Sequence, residues 1–244
     1  MLAGLGRFFR QTIVTSAWAD PDVARLFRRA SSNTRGGILL RGSYAGTISA
    51  VGVPVRQVFS RVQPVARIAD ADDVRFAQFS GSILPAILAG VDTDATGAAG
   101  STARTLIYVP SYFDYVRLRN LLDAHEAEFV TCSEYSEDAD VARARSRFQS
   151  GASPIMLLTE RFHYFNRLRI RGARHVLFYG PPNVPHFYAD FVNMLTGAGG
   201  AGAAATSVTL YFTRVDADAL ERMGGASWAP TMLAESEKVE YVFV

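Results

Sequence analysis

An α/β fold, a parallel sheet flanked by helices, is what this sequence predicts, on three observations. Strand-like apolar runs alternate with helical stretches between residues 105 and 223, the rhythm of βαβ units. The run Thr105-Leu106-Ile107-Tyr108-Val109 is almost continuously apolar, which suits a strand covered on both faces. Hydrophobic residues make up 49% of the 244 residues and charged ones 20%, enough for one large domain, or one domain and an appendage, with a real core.

The elements follow in order. Residues 12–15 are β-branched (Thr12, Ile13, Val14, Thr15) and expected as a short strand. Residues 21–30 are expected as a helix, with Asp20 as N-cap and Pro21 at the first helical position. Residues 48–59 read as a strand despite Pro54. Residues 72–88 carry Val74, Phe76, Phe79, Ile83 and Ile87 at helical spacing. Residues 90–103 and 197–206 are rich in Gly and Ala and read as surface loops. Ser111 and Asp114 have capping-box spacing and open a helix to about Leu122. Residues 128–132 form a strand. Residues 138–149 form a helix with acids at its start, arginines towards its end and Gly151 as its stop. Strands at 154–159, 175–179 and 207–212 alternate with helices at 185–195 and 216–223.

The formal net charge is +2, so no global field points to a polyanion. Lys238 is the only lysine; the remaining cations are arginines, which contact phosphate through a planar fork and stack on bases. Cys132 is the only cysteine, which excludes a disulfide framework and a thiolate metal site and fits a reducing cytosol or nucleus. It ends an apolar strand and is expected to be buried. His163, His175 and His186 lack metal-ligand spacing. No apolar run reaches the length of a membrane span, and the first six residues are too short for a secretory signal, so a soluble intracellular protein is expected. Pro110-Ser111-Tyr112 gives no glycine-rich dinucleotide loop after its strand, and residues 197–206 lack the Gly-Lys-Ser/Thr ending of a phosphate loop. Trp18 and Trp228 read as packing residues.

The pattern resembles the second RecA-like domain of superfamily 2 RNA helicases, with a remnant of the first domain in front. Residues 10–17 resemble the strand ending in Ser-Ala-Thr that closes the first domain of DEAD-box proteins. Tyr108-Val109-Pro110-Ser111 sits where motif IV follows the first strand of the second domain. Phe148-Gln149-Ser150-Gly151 and Leu157-Leu158-Thr159-Glu160 match the approach to motif V, with Thr159 in the position of its threonine. Tyr179-Gly180-Pro181-Pro182-Asn183, then Tyr188, match the strand and turn before motif VI. The resemblance implies a RecA-like fold of the helicase C-terminal type. It divides the chain into a remnant at 1–17, a linker at 18–45 and the second RecA-like domain at 46–244.

Motif VI of an active helicase sets arginines against the triphosphate, where they neutralise charge developing in phosphoryl transfer. Along the resemblance those positions fall on Phe191, Met194 and Gly197, and the acidic residue of motif V is absent from the segment after Thr159. No enzyme activity in this portion, no catalytic residue and no cofactor are expected.

The wording of residues 105–120, with Glu134-Tyr135, Arg143-Ala144-Arg145, Thr159-Glu160-Arg161-Phe162-His163, Arg171-Gly172, Pro185-His186-Phe187-Tyr188 and Asn193-Met194-Leu195, narrows the match. It resembles the digestive-organ-expansion-factor family of U3 small nucleolar RNA-associated helicase-like proteins. That implies a nucleolar component of the small-subunit processome, acting in U3-dependent pre-rRNA cleavage and 18S maturation. The implied partners are pre-rRNA or U3 small nucleolar RNA and other processome assembly factors, with no membrane. Members carry both RecA-like domains, so the chain would be a C-terminal portion.

Residues 159–174 interleave arginines with aromatics, the chemistry of RNA contact. In the parent fold the segment leaves a strand at its carboxyl end, facing the nucleic-acid cleft. The candidate RNA-binding residues are Ser111, Thr159, Arg161, His163, Tyr164, Arg167, Arg169, Arg171 and Arg174. A structural reading stays open, with Phe162 and Phe165 in the core and the arginines solvated. Arg143, Arg145 and Arg147, like Arg117 and Arg119, fit a solvated helix face. Two other function classes also stay open: an active ATP-dependent helicase with its motor residues upstream, and a protein-only scaffold.

Overall fold

In a computed structural model, the described residues are 11–16, 20–30, 36–40, 46–62, 65–90, 104–195, 206–225, 227–234 and 240–243. Trp18, Gly197, Lys238 and most of both Gly/Ala-rich stretches lie outside them. The chain divides into two units, Met1–Ala45 and Gly46–Val244.

In the first unit, helix α1 (Pro21–Ala30) starts as its sequence dictates. The Asp20 carboxylate accepts the Asp22 N–H at 2.8 Å, an N-cap, and Arg25 pairs with Asp22 one turn on. Residues 11–16 are not the expected strand. Ile13 is exposed, and no described strand pairs with it. A β-branched run reports fit to a pleated, half-buried surface and forms no strand without a partner.

The second unit is built on a sheet of seven strands: β1 (Arg56–Arg61), β2 (Thr105–Val109), β3 (Phe129–Cys132), β4 (Ile155–Thr159), β5 (His175–Phe178), β6 (Ser207–Phe212) and β7 (Glu240–Phe243). Their order is β3-β4-β2-β5-β6-β1-β7. β1 to β6 run parallel, and β7 lies antiparallel on β1. The central strands are buried along their whole length, as continuous apolar runs require.

Alternation along each strand feeds two cores. Leu106, Tyr108, Met156, Leu158, Val176 and Phe178 point to one face. That face is covered by α5 (Asp138–Ser150), α6 (Glu160–Asn166), α7 (His186–Asn193), α8 (Ala217–Gly224) and α9 (Trp228–Ala234). Ile107, Val109, Ile155, Leu157 and Leu177 point to the other, under α2 (Ala71–Gln78), α3 (Leu84–Leu88) and α4 (Tyr112–Ala124).

Three local expectations change. Residues 48–59 are not one strand: Thr47–Ala50 form a 3-10 turn and β1 starts only after Pro54. Gly46 sets that turn with φ +82, and a Cβ there would lie 2.2 Å from the Met223 carbonyl oxygen, so only glycine fits. The helix at 71–88 forms, but passes through a π turn at Phe79–Ile83. Pro85 lacks an N–H and its ring displaces the carbonyl four residues back, which the wider turn accommodates. Ser111 has N-cap backbone geometry, yet its side chain makes no cap bond and Asp114 is buried. The capping box forms instead at Thr213 and Asp216. Helix α9 and β7 carry Trp228 and Phe243 against Phe59, with ring centroids 4.9 and 5.5 Å away. Cys132 is buried, and burial pushes its thiol up to about 11. No helix among the described residues is long and apolar enough to cross a membrane.

Candidate nucleic-acid interface

In a parallel sheet all strands end at one edge, and the loops of that edge form the natural site. Here the carboxyl ends of β2, β3, β4 and β5 are tied together by buried and part-buried polar contacts. The Thr159 hydroxyl donates to Glu134 at 2.9 Å and accepts the Phe162 N–H at 3.2 Å, capping α6. Glu160 accepts the Tyr108 hydroxyl and the Asn183 N–H, each at 2.9 Å. Burial holds the Glu160 carboxyl above its ordinary range, while those hydrogen bonds pull the other way.

Helix α6 stands on this base. Arg161, Tyr164, Phe165 and Arg167 are exposed, with Phe162 and His163 facing inward. The Arg161 guanidinium lies 5.8 Å from the Phe165 ring. Arg167 ends the helix at φ 47, left-handed, with its N–H on the His163 carbonyl. It is one of two described non-glycine residues with positive φ, a conformation that costs roughly 1–2 kcal/mol. Its guanidinium sits 4.4 Å from the Phe187 ring and 3.6 Å from the Asp190 carboxylate, which offset that strain.

The nine candidate residues therefore do not share one surface. Thr159 is buried in its cap, and His163 is buried against Phe187 and Phe191, ring centroids 4.8 and 4.5 Å away. Neither can stack on a base in this arrangement. Arg161, Tyr164 and Arg167 share the carboxyl edge with Ser111, which follows β2 beside β4, Val109 opposite Thr159. Residues 167–174 then return to the start of β5, crossing the full strand length of roughly 16 Å. Arg169 lies on the flank, its carbonyl accepting from Arg145 of α5 at 3.2 Å. The Arg174 N–H donates to the Arg104 carbonyl just before β2, at the opposite edge, and Arg171 is exposed nearby. Interleaving in sequence did not reveal this separation; the parallel connection imposes it. The signal that would have marked the inward residues is the helical spacing of Phe162 and His163 after a Thr cap. Phe165 is outside, against the core reading. Arg143 and Arg147 are exposed and paired with Asp140 and Glu128, each at 3.2 Å, as a solvated face requires.

Burial pushes the His163 imidazole down to about 4, with Arg167 helping and Asp190 opposing. An unfolded chain takes that proton near pH 6.5, whereas the folded one resists until about pH 4. The residue's contribution is thus complete above pH 6.5 and is lost as pH falls towards 4, amounting to about 3 kcal/mol. Urea unfolding of wild type and His163→Leu at pH 7 and pH 4.5 checks this: the wild type loses more of its stability over that interval.

Sheet order, helices on both faces and a polar carboxyl edge define a RecA-like domain of the helicase C-terminal type. The crystal structure of the E. coli DEAD-box protein SrmB bound to regulator of ribonuclease activity A shares that fold, with a TM-score of 0.50 at 13% identity over 70% of this chain and 84% of that one. The chain belongs to the Utp25 C-terminal domain family, which it matches over residues 47–243. It is 34% identical over 99% of its length to Protein NUCLEOLAR FACTOR 1 of Arabidopsis thaliana. It is likewise 34% identical, over 98% of its length, to the U3 small nucleolar RNA-associated protein 25 homolog of Homo sapiens. It spans 30% of each of these relatives.

Proposed function

We propose that the domain is a non-catalytic RecA-like module of a small-subunit processome factor. It works in the nucleolus, in U3-dependent pre-rRNA processing and 18S maturation, through contacts with pre-rRNA or U3 small nucleolar RNA and with neighbouring assembly factors. The relatives' names, a nucleolar factor and a U3 small nucleolar RNA-associated protein, support the setting. The observation that carries the RNA contact is the exposed group of Arg161, Tyr164, Phe165 and Arg167 at the sheet's carboxyl edge. Guanidinium groups meet phosphates there, and exposed rings accept unpaired bases. The non-catalytic reading rests on Phe191, which resembles a motif VI arginine position and is sealed in the core, where no phosphate reaches it.

Crosslinking of RNA to the tagged full-length protein in cells tests the surface. The Arg161→Glu, Arg167→Glu variant is expected to lose adducts about tenfold or more, while Arg171→Glu at the opposite edge loses far fewer. Adducts that persist unchanged in the first variant would refute the surface. Co-purifying assembly factors without RNA adducts in wild type would make the domain a protein scaffold. RNA-stimulated ATP turnover by the full-length protein would overturn the non-catalytic assignment.

A further inference from the structure

A second patch at the same edge has the opposite charge. The connection from β3 to α5 is a tight turn: the Ser133 N–H donates to Ser136 Oγ at 3.0 Å, and the Ser136 N–H to the Ser133 carbonyl at 3.0 Å. It presents Tyr135, 73% exposed. That ring lies 5.3 Å from Tyr112 at the start of α4, edge to face, and Tyr112 stacks on the buried Tyr115 at 5.6 Å. The next residue, Phe113, is 82% exposed. Tyr112 and Tyr135 thus meet at the surface from two elements, held by a closed turn and a stacked anchor, with the exposed Phe113 next to Tyr112 in the chain. Single exposed apolar residues are ordinary, but grouped aromatic ones mark a contact surface.

The charges that flank Tyr135 in its turn and at the start of α5 are acidic. Glu134 turns inward to Thr159, and Asp140 pairs with Arg143 at 3.2 Å. Glu137 and Asp138 are exposed and form no ion pair among the described residues. Carboxylates at a helix start stabilise the helix and alone indicate no ligand. Beside exposed rings they select one by sign, because the faces of aromatic rings attract cations and the carboxylates repel phosphate. The nearest arginine on the early part of α4 is already committed: Arg117 bonds Asp73 at 2.8 Å and covers the Phe76 ring at 4.3 Å.

We propose that Tyr112, Phe113 and Tyr135, with Glu137 and Asp138, dock an arginine- or lysine-rich segment of a partner protein. The cations lie on the rings and the carboxylates set the sign. This is independent of the RNA contact at α6, whose arginines suit an anion.

Fluorescence anisotropy of the 244-residue chain with a labelled peptide of alternating arginine and glycine tests the patch, with a labelled oligouridylate as the opposing probe. Phe113→Ser with Tyr135→Ser, and separately Glu137→Gln with Asp138→Asn, are each expected to weaken peptide binding about tenfold. Both are expected to leave oligouridylate binding unchanged, and the Glu137→Gln, Asp138→Asn pair to lower the thermal midpoint by no more than the small share that two carboxylates contribute to a helix start. The second pair keeps size and hydrogen bonding, so it remains informative if the first unfolds. Wild-type peptide affinity in both variants overturns the proposal. Loss of oligouridylate binding in place of the peptide does so too, and would make the patch an RNA surface.

Discussion

Phe191→Ala lowers the stability of the domain by about 3–5 kcal/mol, and the urea midpoint falls while the slope holds. Phe191 is fully buried on α7. Its ring centroid lies 5.0 Å from that of Tyr108, 6.2 Å from Phe178 and 4.5 Å from His163. Alanine removes all three contacts and leaves a cavity between the sheet and two helices, which cannot close because β2 and β5 fix their own positions. Small domains have only about 5–15 kcal/mol in total, so the loss is a large share. A variant as stable as wild type would show that α7 does not hold the sheet in this way.

Asp216→Ala has a cost of similar size for a different reason. One carboxylate oxygen of Asp216 accepts Arg75 Nη2 at 2.7 Å, the Thr213 N–H at 2.7 Å and the Thr213 hydroxyl at 2.8 Å. The Arg75 side chain is only 10% exposed, its guanidinium lies 5.8 Å from the Tyr179 ring, and Asp72 is 3.9 Å away at the surface. Alanine leaves the largely buried cation with only the more distant, solvent-facing Asp72 as its ion-pair partner and opens the capping box of the 3-10 turn that leads into α8, a loss of about 3–5 kcal/mol. Arg75→Met combined with Asp216→Leu is expected to recover much of it, since neither charge is then stranded. Chemical denaturation of the two single variants and the double gives the coupling. Additive losses would mean that the pair does not act as a unit.

The layout of the sheet was legible because burial on both faces leaves a direct trace. Thr105–Val109 and Ile155–Thr159 are near-continuous apolar runs, and each stands where the sequence places it. Capping was legible only where the side chain had no competing role. Asp20 caps α1, but Asp114 is drawn into the interior and Ser111 is left without its partner. Helix α9 and β7 carry weak signals: the first is seven residues with Pro230 inside it, and the second is an edge strand with an alternating pattern. The candidate surface was read from residue type alone. Type does not say on which side of a short helix His163 falls, or that Arg161 and Arg174 stand at opposite ends of a strand. Those are properties of connection geometry, which no local window contains.

β1 precedes the rest of the sheet in the chain yet lies between its last two strands, with Arg56 opposite Ser207 and Phe59 opposite Tyr241. On a translating ribosome its parallel partner is about 150 residues away, roughly 8–30 s at ordinary elongation rates. Through that interval Val58 and Phe59 have no strand to cover them, and closing so long a loop is entropically slow. The nascent chain can assemble the β2 to β5 block first and must keep β1 from sticking elsewhere. Premature release or a stall before residue 207 therefore yields a species with an unpaired apolar strand, the form that chaperones hold and proteases remove.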